Sequence, residues 1–226
     1  MTTRQLVDMR LLDPWHLRSW PKPRRKLQVA FVPGRARDDW EGGHGDDGLL
    51  HTAAYMHRCD MCMYIALPGT IGSFVDGKRA ASGYPGFVQW YGELLKLGVE
   101  GEVIFPTVGR GFHTQSETDD FVELAKEHGW TEGAVIMSPH QTLRVVLGAL
   151  KSFELYDHPM TLWPVTPQVN WHRPVYGSQG QKQLLRVQHI PEELRRVVEY
   201  QAKGDLASFD ALSDYYTNVL GMKWPQ

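Results

Sequence analysis

The stretch AVIMSPHQTLRVV, residues 134–146, contains the junction between a buried strand and a helix on which the fold prediction rests. Its apolar run ends abruptly at Ser138, a helical pattern begins at His140, and Arg144 follows one helical turn later. A short continuous apolar run of this kind is typical of a strand covered on both faces. The stretch therefore predicts that a hydroxyl, an imidazole and a guanidinium come together at the end of a strand.

The rest of the chain repeats this alternation of strand and helix. Apolar runs that predict strands lie at residues 27–34, 62–69, 101–106, 133–138 and 160–165. Helical patterns lie between and after them, at residues 49–58, 87–98, 116–129 and 140–153. Such alternation indicates a parallel sheet with right-handed crossovers. We therefore predict an α/β fold, a Rossmann-like open parallel sheet of about five strands with helices on both faces.

The pattern changes after about residue 183 and predicts a C-terminal helical hairpin. Its apolar positions are spaced for one buried face in each helix: Leu194, Val197 and Val198, then Phe209, Leu212, Tyr216 and Val219. We expect this hairpin to pack on the same chain, and the alternative is a homodimer formed through these helices. The predicted organisation is an N-terminal extension (1–26), the α/β domain (27–182) and the hairpin (183–226).

Composition excludes some classes of partner. The net charge of −2 leaves no excess of positive charge to hold a polyanion, so we expect no nucleic-acid partner. No apolar stretch approaches the roughly 20 residues that a membrane span needs, and the first 20 residues lack a signal-peptide pattern. We therefore expect a cytoplasmic protein without membrane insertion.

The two cysteines form a lone C-x-x-C pair, Cys59 and Cys62. A structural zinc site usually needs four ligands, and the chain has no second pair of cysteines. A redox pair normally opens a helix, whereas this pair closes a helix and enters a strand. We expect reduced, structural cysteines and no metal; a thiol or zinc function is the alternative.

Unusual polar groups follow the ends of the predicted strands, where open parallel sheets bind ligands. Glycines there allow close approach of a ligand to the backbone, arginines clamp a carboxylate or phosphate, and helix N-termini favour anions. The predicted ligand-binding residues are Gly34, Arg35, Gly69, Gly72, Arg110, Glu117, Ser138 and Arg144. His140 is the predicted acid or base near neutral pH.

Each of these residues also has a structural interpretation. Ser138 could be only a helix N-cap, His140 a buried structural histidine and Arg144 a surface residue. Glu117, Asp119 and Asp120 either hold ribose-type hydroxyls or stabilise the start of their helix. Trp163 and Trp171 either stack on a base or belong to the core. The shared location of the polar groups favours the functional interpretation. The chain has no G-x-S-x-G elbow and no phosphate-binding P-loop motif.

Several short motifs resemble those of the YdcF-like family. They are LPG at 67–69, LGV at 97–99, SETDDF at 116–121 and SPHQTLR at 138–144. The resemblance implies a Rossmann-like sheet, S-adenosylmethionine binding as in some members, or envelope polysaccharide assembly as in others. The matching positions are Gly34, Gly69, Thr118, Ser138, His140 and Arg144. The chain departs from the family at Asp119-Asp120, where a Glu-Asn pair is usual, and at Pro68-Gly69, where two glycines are usual.

Residues and resemblance together predict a site for a nucleotide-like or anionic small molecule, with S-adenosylmethionine as the leading candidate. If the protein is an enzyme, we expect group transfer or hydrolysis with His140 as the acid or base. The alternative is a non-catalytic binding or assembly protein, linked to envelope polysaccharide biogenesis, that uses the C-terminal hairpin as its contact surface.

Overall fold

A computed structural model describes residues 26–43, 45–72, 74–75, 78–79, 83–110, 113–177 and 183–221. Of the predicted N-terminal extension, only Lys26 lies within these residues. Five parallel strands form the main sheet: β1 (Leu27–Phe31), β2 (Cys62–Leu67), β3 (Ile104–Pro106), β4 (Glu132–Ile136) and β5 (Thr161–Val165). A two-residue ladder pairs Phe74–Val75 with Lys78–Arg79. The predicted parallel α/β sheet is confirmed.

Helices follow the strands as the alternation predicts. In the α/β part they are α1 (Arg37–Trp40), α2 (Leu49–Arg58), α3 (Phe87–Lys96), α4 (Thr114–His128) and α5 (Pro139–Leu155). A 3-10 helix, Gly101–Val103, precedes β3. Among the described helices, none is both long and apolar enough to cross a membrane.

The order of the strands across the sheet is β3-β2-β1-β4-β5. The chain therefore builds outward from β1 to one edge, returns to the middle, and builds outward from β4 to the other edge. β1 and β4 are neighbours, with Val29 opposite Gly133 and Phe31 opposite Val135. The strand order reverses between them, and a crevice forms at such a point beyond the carboxyl ends of the two strands.

Each face of the sheet carries its own apolar core. Val29 and Phe31 point to the face covered by α4 and α5, where the Phe31 ring stacks on that of Phe121 at 4.4 Å. Ala30 and Val32 point to the other face, which α2 and α3 cover. This alternation along β1 buries both faces of the strand, and helices on both faces of the sheet are thereby confirmed.

The C-terminal part of the chain packs on the same chain. A β-hairpin of β6 (Pro174–Tyr176) and β7 (Gln183–Leu185) leads into a 3-10 helix, Arg186–His189, and then into α6 (Ile190–Lys203) and α7 (Phe209–Asp214). The predicted boundary between 182 and 183 thus falls inside a β-hairpin. The hydroxyl of Tyr215 donates to the carbonyl of Met160 at 3.0 Å and accepts from the N–H of Leu162 at 2.5 Å.

Two of the apolar positions predicted to be buried in the hairpin are exposed. Val219 is 47 % exposed because residues Tyr215–Val219 form a π-helical turn, which advances the buried position to Leu220. Val198 is 62 % exposed because α6 turns Glu193 and Val197, one helical turn apart, towards the interior. The predictions for Val198 and Val219 are therefore wrong.

Candidate functional site

The loops that follow β1 and β4 bring the predicted arginines and histidine together at the point where the strand order reverses. Arg35 follows β1, His140 lies in the first turn of α5 after β4, and Arg144 lies one turn further along that helix. All three are buried, at 3 %, 4 % and 5 % exposure. The positive charge of Arg144 is close enough to Arg35 to lower the pKa of Arg35.

Arg35 is held by its own loop and by α4. Its Nη1 donates to Glu117 Oε2 at 3.4 Å and to the carbonyl of Gly34, and its Nε contacts the Met137 sulfur at 2.9 Å. Glu117 also accepts from the N–H of Gly34 at 3.2 Å. Burial lowers the pKa of Arg35 and raises that of Glu117, while each partner's charge opposes this effect. Glu117 therefore contacts Arg35 and the loop after β1 in addition to lying in the first turn of α4.

Arg144 is held by the C-terminal segment. Its Nε donates to Glu193 Oε2 at 2.7 Å, and its Nη1 donates to the hydroxyl of Thr114. Burial opposes ionisation of Glu193, but the charge and hydrogen bond of Arg144 outweigh it and lower the pKa of this carboxyl. The interpretation of Arg144 as a surface residue is wrong. Sequence reasoning missed Glu193, although its helical phase, four residues before Val197, is that of a buried position.

Several buried polar atoms of this cluster lack hydrogen bonds. Within the described part of the chain, Nη2 of Arg35, Nη2 of Arg144 and both ring nitrogens of His140 have no hydrogen-bond partner. A buried donor without a partner costs about 1–3 kcal/mol, and more when it is charged, so such atoms are rare in native structures. Three side chains with unmet hydrogen bonds in one place indicate a binding site.

His140 is a neutral imidazole in this environment. Burial lowers its pKa to about 3; the nearby Glu193 opposes the shift, and the positive charge of Arg186 adds to it. The His140 ring lies 5.8 Å from that of His189, whose Nε2 donates to the carbonyl of Val175 at 3.0 Å. A neutral imidazole can accept a proton or a hydrogen bond, but it cannot serve as a general acid until an anion nearby raises its pKa.

We expect the burial of His140 to make the fold acid-sensitive. The pKa of His140 is about 3 when folded and its unperturbed value is 6.5, so the unfolded chain binds more protons between these values. Its contribution to stability therefore falls as the pH drops from 6.5 towards 3. Urea unfolding at several pH values should show a shallower decline for His140→Asn than for the wild type. A His140 ring resonance that titrates near neutral pH in the folded protein would contradict this expectation.

A second buried network adjoins the cluster on the side of the C-terminal segment. Arg186 donates to both carboxylate oxygens of Asp46, at 3.0 and 2.8 Å, to Asp39 at 3.4 Å, and to the carbonyl of Asn170 at 2.8 Å. Arg173 also donates to Asp46, at 2.8 Å. The network joins the loop after β1, the loop after β5 and the 3-10 helix before α6. None of these residues was predicted as a site residue, because isolated charges in loops carry no periodic signal.

Ser138 directly precedes α5, but its hydroxyl makes no capping hydrogen bond to that helix. The hydroxyl lies beside Asp39 and favours the ionised form of this carboxyl. Burial nevertheless raises the pKa of Asp39, and Arg186, Ser138 and Arg35 only partly offset it. Ser138 therefore occupies the N-cap position of α5 as that interpretation expects, but its hydroxyl does not cap the helix.

The predicted glycines support the loops around the cluster. A Cβ on Gly34 would lie 2.7 Å from Glu117 Oε1 and 2.9 Å from the Tyr84 ring. A Cβ on Gly69 would lie 2.0 Å from the carbonyl oxygen of Thr107, and Gly72 has a φ of +132°. These close approaches require glycine, because any side chain would push neighbouring loops apart. Gly34 borders the cluster, whereas Gly69 and Gly72 hold adjacent loops.

Other predicted residues are engaged elsewhere. The half-exposed Arg110 lies against Asp120 at 3.4 Å and pairs with Glu123. Asp120 accepts from the N–H groups of Gly109 and Arg110, both at 2.8 Å. The Ser152 hydroxyl on α5 donates to Asp119 at 2.6 Å and lies 3.1 Å from the hydroxyl of Thr118, so Thr118 and Asp119 face α5. These contacts fasten α4 to α5 and to the loop that precedes α4, and none of them is made to Arg35 or Arg144.

The cysteines and the tryptophan Trp163 lie in structural positions. Cys59 directly follows α2 and Cys62 begins β2, as predicted, and both are free thiols. Burial raises the pKa of Cys62 to about 12, so its thiol stays protonated. Trp163 packs against the apolar cores of both sheet faces. Across the described residues, no group of three or more His, Cys, Asp and Glu side chains is arranged to hold a metal ion.

No family model, curated protein or solved structure matches the chain. The resemblance to the YdcF-like family therefore stays an expectation.

Proposed function

We propose that the protein binds a small molecule through an anionic group at the carboxyl edge of the sheet, between the ends of β1 and β4. The observation that carries this proposal is the pair of buried nitrogens, Nη2 of Arg35 and Nη2 of Arg144, without hydrogen-bond partners among the described residues. Guanidinium N–H groups match the oxygens of a carboxylate or phosphate. Their position at the reversal of strand order is where open α/β sheets bind ligands.

The expected ligand is nucleotide-like, and S-adenosylmethionine is the leading candidate because it carries a carboxylate and because of the resemblance described above. If the ligand is converted, in group transfer or hydrolysis, His140 is the candidate for proton transfer, because its ring nitrogens have no hydrogen-bond partner among the described residues. The negative charge of a bound anion would raise the pKa of His140 and favour this role. The variant His140→Asn separates the two functions. If the protein is an enzyme, the variant should lose turnover and keep most of its affinity for the ligand. If it is a binding protein, the variant should either bind the ligand more weakly or behave as the wild type does.

A thermal-shift screen tests the proposal. The probes are S-adenosylmethionine, S-adenosylhomocysteine, nucleotides, sugar nucleotides and inorganic phosphate. A probe at about 100 times its Kd should stabilise the fold by roughly 2.7 kcal/mol. We expect this stabilisation to disappear in the double variant Arg35→Met/Glu117→Gln, which removes the guanidinium without leaving a buried carboxylate unpaired.

Arg110→Met is the matched control, because it removes an arginine that lies near the same edge but pairs with Asp120 and Glu123. It should leave the stabilisation by the probe unchanged. The proposal fails if no probe raises the melting temperature, or if the double variant binds as tightly as the wild type. In that case the non-catalytic assembly function remains, and the C-terminal helices become the surface to test.

A further inference from the structure

The charged groups at this edge of the sheet balance one another. Four arginines with little or no exposure lie in the two adjoining networks: Arg35, Arg144, Arg173 and Arg186. Four buried carboxylates face them: Asp39, Asp46, Glu117 and Glu193. A fifth arginine, Arg196, is 23 % exposed and lies 3.3 Å from Glu193, but it also pairs with the 40 % exposed Glu192, so these two charges at the rim offset each other. A ligand that carries net charge would upset this balance in a place from which water is largely excluded, and uncompensated buried charge is costly. The balance therefore favours a ligand with no net charge.

The balance is uneven in detail, because two guanidinium nitrogens lack acceptors and one carboxylate has only a weak ion pair. Nη2 of Arg35 and Nη2 of Arg144 have no partner within the described residues. Nη2 of Arg186 lies 2.8 Å from Asp46 Oδ2 and 3.4 Å from Asp39 Oδ1, so Asp46 forms the stronger ion pair. Asp39 is 4 % exposed and is left with the weaker interaction.

The poorly matched carboxylate lies near the unmet guanidinium. Arg35 and Asp39 are four residues apart, in the loop after β1 and in α1, and the charge of each acts on the other. Oδ2 of Asp39 has no hydrogen-bond partner among the described residues, and burial raises the pKa of this carboxyl although Arg186 and Arg35 oppose the shift. A cation placed beside Asp39 would offset this effect of burial, and an anion placed beside Arg35 would satisfy its Nη2.

We propose that the site binds the zwitterionic end of an α-amino acid or of a molecule that carries one, with its carboxylate at Arg35 and Arg144 and its ammonium at Asp39. This inference rests on the proposed function and narrows it. The carboxylate of a zwitterion would accept hydrogen bonds from Arg35 and Arg144, and its ammonium would donate to Asp39. Such a ligand adds no net charge to the buried cluster. A phosphate would satisfy the arginines only and would add negative charge beside Asp39, Glu117 and Glu193.

Paired probes that differ only in the zwitterionic group test this inference on the full-length protein. S-adenosylhomocysteine carries the amino and carboxyl groups, and methylthioadenosine is the corresponding thioether nucleoside without them. L-methionine and methylthiobutyrate differ in the amine alone. Calorimetric titration should give affinities at least about tenfold higher for the member of each pair that carries the zwitterion or the amine. ADP and inorganic phosphate serve as anions without an ammonium group.

The variant Asp39→Asn removes the acceptor charge while keeping the size of the side chain. It should abolish the preference for L-methionine over methylthiobutyrate, and Asp210→Asn, an exposed aspartate in the first turn of α7, should not. If Asp39→Asn does not fold, the comparison of the paired probes on the wild type decides by itself.

The outcomes separate the two proposals. One outcome is that ADP or phosphate binds to the wild type and fails to bind to Arg35→Met/Glu117→Gln, while L-methionine and methylthiobutyrate bind equally well. That result excludes a zwitterionic ligand and supports the anion site. If none of the probes binds, both proposals fail. A preference for L-methionine over methylthiobutyrate that disappears in Asp39→Asn supports both the anion site and the zwitterion.

Discussion

Arg186→Met is expected to lower the free energy of unfolding by about 3–5 kcal/mol, because it leaves two buried carboxylates without their main partner. Arg186 is 1 % exposed and holds Asp46 through two nitrogens, Asp39 through one, and the backbone at Asn170. Urea unfolding at neutral pH measures the loss. Arg195→Met on α6 is the control, because Arg195 is exposed and pairs with the exposed Glu192 and Glu199. Equal losses in the two variants would contradict a structural function for the buried network.

The pH dependence of Arg186→Met provides a second readout. Without the guanidinium, the pKa of Asp39, which burial already raises, rises further, and the pKa of Asp46 rises from its lowered value. The folded variant then binds more protons than the folded wild type at acidic pH, which favours the folded variant as the pH falls. The difference in stability between the variant and the wild type should therefore narrow on acidification.

Glu193→Ala is expected to cost a similar amount, about 3–5 kcal/mol, because it leaves Arg144 charged and buried. The pair is 2.7 Å apart, and the two side chains are 6 % and 7 % exposed. Its neighbour Glu192 provides the control, since its side chain is 40 % exposed and pairs with Arg195 and Arg196. Glu192→Ala should change stability by less than about 1 kcal/mol.

A double-mutant cycle separates the charge from the packing of α6. If Glu193 acts by neutralising Arg144, the double variant Arg144→Met/Glu193→Ala should lose less stability than the sum of the single variants. The expected coupling is about 1–3 kcal/mol. Strictly additive losses would show that Glu193 supports the helix without stabilising Arg144.

Most of the fold was predictable because buried strands and amphipathic helices leave a local pattern. The helix at 49–58 was predicted residue for residue, and every strand of the main sheet was predicted to within three residues at either end. The β6–β7 hairpin was missed because its three-residue strands are too short to show alternation. The π-helical turn was missed because an insertion of this kind shifts the phase of the pattern within one turn.

The site was predictable only in part. Arg35, His140 and Arg144 could be placed because topology alone brings the ends of β1 and β4 together. Their partners Glu193 and Asp39 could not, since a single charged residue gives no sign of which distant charge it will meet. Arg110 follows a strand end as predicted, but its direction is set by Asp120 and Glu123 on the next helix.

The attachment of Glu193 to Arg144 has a consequence for how the protein is made. Synthesis proceeds from the N-terminus, so all five strands of the sheet leave the ribosome before α6 does. Until residue 193 emerges, Arg144 on α5 lacks its carboxylate partner. A nascent chain that stops before α6 would therefore combine the five strands of the sheet with an unpaired guanidinium beside them.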